Sequence, residues 1–147
     1  MATGPQPFIH SSVKAFRGNI ALVDAYVWEL YPEIVSKAIG KSKAFSFSPE
    51  DNLIDVLGFK LATTLRLGGI KSVTVVVKAG SPHAIQIPFI VQEAVEDVRY
   101  PKEKVTYYAI EKGNLVLISD AAVRTARHLN EVQALLEHAP KKRAKKA

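Results

Sequence analysis

The segment Ser72-Val-Thr-Val-Val-Val-Lys78 constrains the fold more than any other stretch of the chain. Val73 and Val75 to Val77 leave it without a polar face. A strand with one wet face alternates apolar and polar residues. One without such alternation is covered on both sides, as in the parallel sheets of α/β proteins. The segment runs into Ala79-Gly-Ser-Pro-His83 and then toward a helical pattern. In an α/β protein, loops at the carboxyl ends of the strands are where a ligand is held.

The flanking patterns agree with that class. From Ile20 to Ile39, apolar residues at Leu22, Val23, Tyr26, Val27, Leu30, Ile34, Val35 and Ala38 predict a helix capped by Asn19. Pro32 should kink it, or split it near Tyr31, and Gly40 should end it. Ala44 to Phe47 reads as a strand. Ser48-Pro49-Glu50-Asp51 then opens a helix whose core stripe is Leu53, Ile54, Leu57, Leu61 and Leu65. After the valine-rich strand, a helix either starts at Pro82 and kinks at Pro88, or starts at Pro88. The second reading is preferred because proline suits a first helical turn. Val105 to Ile110 and Leu115 to Ile118 form a hairpin through Glu111-Lys112-Gly113-Asn114. Asp120 should cap a last helix reaching about His138, with Ala122, Ala126, Leu129, Val132, Gln133 and Leu136 on its inner face. The order α, β, α, β, α, β, β, α predicts a three-layer α/β sandwich. Its sheet would be mostly parallel, of about four strands, with one antiparallel strand from the hairpin and helices on both faces. Residues 1–12 read as an arm, 13–139 as the single domain and 140–147 as a basic, disordered tail.

Charge is uneven along the chain. Five of the 20 basic residues, Lys141, Lys142, Arg143, Lys145 and Lys146, lie in that tail, and all 14 acidic residues precede it. The body is therefore close to neutral although the chain carries +6, and a basic surface across the whole fold is not indicated. The absence of cysteine excludes disulfides, thiolate metal sites and a cysteine nucleophile. No apolar run is long enough to span a membrane and the first residues lack a signal-peptide pattern, so a soluble cytoplasmic protein is expected. A single methionine, with few Asn and Gln, accords with a heat-adapted (thermophilic) source.

Parallel strands bring their carboxyl ends to one edge. That edge should collect Ser46, Ser48, Lys78, Gly80, Ser81 and His83, with the turn Glu111 to Asn114, whereas Asp120 should fall at the opposite edge. Glu50, Asp51 and Asp120 already meet the positive ends of their helices. The helix after Gly80 meets no carboxylate before Glu93. Lys78, Gly80, Ser81 and His83 therefore outline a cradle for a small anion, with Ser46 and Ser48 beside it. The blander reading is a tight turn with Ser81 as the helix cap and His83 in solvent. Neither the phosphate-loop nor the dinucleotide glycine pattern is present, and no cofactor is indicated. His83 has the chemistry of a general acid or base, but the Gly-x-Ser-x-Gly elbow is missing and nucleophilic catalysis is not indicated. His128 and His138, on one helix, would lie roughly 15 Å apart, too far to share a metal.

The leading expectation is a small α/β binding module for an anionic ligand. One alternative is a nucleic-acid or ribonucleoprotein accessory acting through Lys141 to Lys146, where no interleaved aromatic residue offers base stacking. The other is a non-catalytic scaffold subunit. Tyr26, Trp28 and Tyr31 on the first helix would then form a homo-oligomer surface, unless they serve as core.

Overall fold

Ile20 to Asp24 is a strand, not the opening of a helix. The computed structural model describes residues 6–7, 16–48, 54–82 and 84–139. It places Gly18–Asp24 as β2, directly beside the valine-rich strand β4 (Ile70–Lys78). Ile20-Ala-Leu-Val23 is apolar at every position. Such a run has the same periodicity whether it is a buried strand or the start of a buried helix, and here pairing on both sides decided the outcome. Asn19 caps no helix; its side-chain oxygen accepts the Ser72 hydroxyl at 2.7 Å, tying β2 to β4.

The sheet has six strands in the order β1-β3-β2-β4-β5-β6, against the four expected. Five are substantial: β2, β3 (Lys43–Phe47), β4, β5 (Val105–Glu111) and β6 (Asn114–Ile118). The remaining one, β1 (Gln6–Pro7), is a two-residue edge on β3. Every pairing is parallel except β5 with β6. The two extra strands arise from β2, read as helix, and from the arm, which contributes β1.

Both faces of the sheet are covered. Val73, Val75 and Val77 point with Ile20, Leu22, Phe45 and Phe47 toward α3 (Ile54–Arg66) and α4 (Gln86–Val98). Val76 points with Ala21, Val23 and Ile110 toward α1 (Ala25–Leu30) and α2 (Pro32–Ile39). Each buried valine stabilises the fold by roughly 1.5–3 kcal/mol through apolar surface removed from water. The expected leucine stripe of α3 is buried at Leu57, Leu61 and Leu65.

Proline and glycine act largely as expected. Pro32 divides the first helical stretch, ending α1 at Leu30 and opening α2, and Gly40 closes α2 at φ 58°. Pro88 lies in the first turn of α4, which starts two residues earlier, at Gln86. Lys112 and Gly113, both at positive φ, make the two-residue turn between β5 and β6. That is the type I′ geometry whose twist matches a hairpin. The Ser48-Pro49-Glu50-Asp51 helix opening lies, beyond Ser48, outside the described residues.

The carboxyl-terminal helix differs from expectation. Ser119, rather than Asp120, is its cap: its hydroxyl accepts the Ala122 N–H at 3.0 Å. The helix breaks at Arg127 and His128 into α5 (Asp120–Ala126) and α6 (Leu129–Glu137). Of α5, only Val123 is buried, and no residue of α6 is. Of the expected inner face, Ala122 and Ala126 border a cavity against α4 and the sheet, whereas Leu129, Val132, Gln133 and Leu136 on α6 are not buried among the described residues.

Candidate functional site at the carboxyl edge of the sheet

The order of the strands reverses between β2 and β4. The chain leaves β2 through α1 and α2 on one face and moves outward to β3. It leaves β4 through α4 on the opposite face and moves the other way, to β5. A crevice opens at the carboxyl ends of two neighbouring strands where their connections depart in opposite directions, and this is the general ligand position in open α/β sheets.

Two residues meet there. Asp24 ends β2 and is 1% exposed. Its Oδ1 accepts the Tyr26 N–H at 3.0 Å, capping α1, and the backbone N–H and ammonium of Lys78, the last residue of β4, lie near enough to favour its charged form. Burial pushes the Asp24 pKa above its ordinary value, and the two N–H donors and the Lys78 ammonium pull it part of the way back. Asp24 was missed in the sequence because it lies inside a stretch read as helix. A carboxylate ending an all-apolar run was the available signal.

The loop after β4 is built by its own hydrogen bonds. The Ala79 N–H donates to the Ile110 carbonyl at 3.0 Å, the Ala84 N–H to the Ser81 hydroxyl at 3.3 Å, and the Ile85 N–H to the Ser81 carbonyl at 3.0 Å. Ser81 thus does cap the approach to α4, and several of the expected anion donors serve the turn itself. Gly80 sits at φ 85°, a conformation that suits glycine, and lies exposed between them. The first turn of α4 carries no acidic residue. Lys78 is exposed at the mouth.

The other predicted residues are only partly gathered. Ser46 pairs with Val23 within the sheet, and Ser48 follows β3. Because β2 stands between β3 and β4, both serines lie about two strand spacings, roughly 10 Å, from the Gly80 loop. The Glu111–Asn114 turn is one strand away, and a Cβ on Gly113 would approach the Tyr31 ring at 3.6 Å. Asp120 falls at the far edge as expected. There its backbone carbonyl and Oδ1 accept the Gln92 amide at 2.9 and 3.0 Å. His83 lies outside the described residues, as do Lys141, Lys142, Arg143, Lys145 and Lys146. Trp28 and Tyr31 pack against the sheet as core, while Tyr26 is exposed.

An apolar cavity of about 200 Å³ reaches Gly80 from the α4–α5 side. Val77, Ala79, Phe89, Tyr107, Ile118 and Val123 are among its walls. Among the described residues no cluster of His, Asp or Glu suits a metal ion, and no helix is long and apolar enough to cross a membrane. No protein-family model, no curated protein and no solved structure matches the chain.

Proposed function

We propose that the protein is a small α/β binding module that holds a small anionic ligand at the crevice between β2 and β4. The observation that carries this reading is the reversal of connection direction between those two strands, beside a loop whose helix meets no carboxylate. The Lys78 ammonium and the Gly80 backbone supply the anion contacts. Asp24 caps α1 beside the crevice and is a positioning residue. The adjoining cavity is about the size that accepts a benzene-like group, so the ligand is an anion carrying one compact ring or branched chain.

The test is calorimetry and thermal shift against inorganic phosphate, nucleoside monophosphates and aromatic carboxylates. Binding should weaken at least tenfold in Lys78→Gln and in Ser81→Ala, with unchanged circular dichroism. Absence of binding across the panel, or equal binding by both variants, contradicts the reading.

A second reading, a non-catalytic scaffold subunit, is favoured by the apolar side chains left outside the fold, Leu117 on β6 and Leu129 and Leu136 on α6. The mass of the chain in solution tests it.

A further inference from the structure

The sheet has two borders, and they are built differently. One is β1, two residues long and ending in Pro7, which offers almost no ladder. The other is β6, Asn114-Leu-Val-Leu-Ile118, which holds no charge, no proline and no bulge. Val116 is 44% and Leu117 67% exposed, and among the described residues no strand pairs with the outer side of β6. Strand borders are ordinarily protected by charges, proline or brevity, because open N–H and C=O groups recruit another strand. β6 has none of these protections.

The direction in which its backbone groups point follows from the hydrogen bonds already present. The Ile110 carbonyl accepts from Ala79, so Ile110 faces β4. Its neighbours along the strand, Glu111, Ala109 and Tyr107, therefore face β6. They stand opposite Asn114, Val116 and Ile118, whose polar groups are used in the hairpin. Leu115 and Leu117 turn their N–H and C=O groups to the open border.

A second β6, antiparallel and related by a two-fold axis, matches this phase. With Val116 facing its own copy on the axis, Leu115 stands opposite Leu117 of the partner subunit, and Leu117 opposite the partner's Leu115. Both pairs are outward-facing, so each exchanges two N–H to C=O bonds. The four leucines then form one patch on the face that carries α1 and α2. Shifting by two residues either way places Leu117 or Leu115 on the axis and leaves one outward-facing pair within β6 instead of two.

The geometry points to a two-fold homodimer formed by antiparallel pairing of β6, which joins the two sheets into one continuous sheet of twelve strands. The first helix, with Tyr26, is not part of this interface. The partner is a second copy of this chain, because the strand is complementary to itself in hydrogen-bond phase and apolar surface.

The chain has no cysteine, so single-cysteine variants report the register directly. In a pair of this kind, residues facing each other on the axis have Cα atoms about 4.5 Å apart, within disulfide range. Light scattering of the full chain should give twice the 16.1 kDa of one chain. Val116→Cys should convert almost wholly to a covalent dimer under mild oxidation, while Phe59→Cys, exposed on α3, should yield traces. Leu117→Lys should halve the mass and keep native circular dichroism. A monomeric wild type, a Val116→Cys that cross-links no faster than Phe59→Cys, or a Leu117→Lys that remains dimeric would each overturn the proposal.

Discussion

The Asp24 carboxylate accepts the Tyr26 N–H at 3.0 Å, so the buried residue that ends β2 also caps α1, just beyond the end of the sheet ladder with β4. The ladder between these strands runs only to Val23 and Val76. Beyond it the Lys78 backbone N–H and ammonium lie near enough to the buried Asp24 carboxylate to favour its charged form. Asp24→Ala should leave the Tyr26 N–H without its acceptor and cost about 1–2 kcal/mol. Chemical denaturation measures it.

Two carboxyl groups should bend the pH profile in opposite senses. Burial raises the pKa of Asp24, so its stabilising contribution is full below the ordinary carboxylate value of 3.8 and is lost as the pH rises through the raised folded value. The hydrogen bond from Arg124, with help from Arg127, lowers the pKa of Glu96. Its contribution is full above 4.5 and is lost as the pH falls through the lowered value. Relative to Asp24→Asn, the wild type should therefore lose stability from acid to neutral pH. Relative to Glu96→Gln it should gain. Unfolding at several pH values, wild type beside each variant, gives both slopes.

Gln92, fully buried on α4, fastens α5 to the body. Its amide donates to Asp120 and its carbonyl oxygen accepts from Arg127 Nη1 at 2.8 Å. Gln92→Leu should lower stability by about 1–3 kcal/mol, by removing the buried amide that joins α4 to Asp120 and Arg127. Hydrogen exchange should show protection lost across α5 before the sheet is affected.

At Gly58 the helices α3 and α4 touch so closely that an added Cβ would come within 2.8 Å of the Ile90 Cγ2. Gly58→Val should force α3 and α4 apart and cost about 1–3 kcal/mol. Phe59→Ala next to it, largely exposed, should change stability by at most about 0.5 kcal/mol. Equal melting temperatures for the two variants would refute the close contact.

Filling the cavity beside Gly80 separates packing from binding. Ala126→Leu, from the rim of the cavity, should raise stability by about 0.5–2 kcal/mol and weaken any ligand whose apolar part enters there. Calorimetry on the variant checks both effects.

The layered class was legible because β4 and the stripe of α3 carry unambiguous patterns: valines on both faces in one, leucines at helical spacing in the other. β2 was not legible. Ile20 to Val23 satisfies a helix and a buried strand equally, and only pairing with β3 and β4 distinguishes them. That one ambiguity hid Asp24. It also moved Ser46 and Ser48 away, since a strand inserted at β2 separates β3 from β4. The break at Arg127 and His128 was equally hidden. No glycine or proline marks it, and no residue of α6 is buried.

Amide NMR of the full chain, titrated with inorganic phosphate, a nucleoside monophosphate and an aromatic carboxylate, tests the site most directly. The account predicts that at least one of them moves the resonances of Lys78, Ala79, Gly80 and Ser81, with Asp24 and Tyr26 across the crevice, saturably and together. Titrations that leave those amides in place, or that shift only residues elsewhere such as α6, would contradict it.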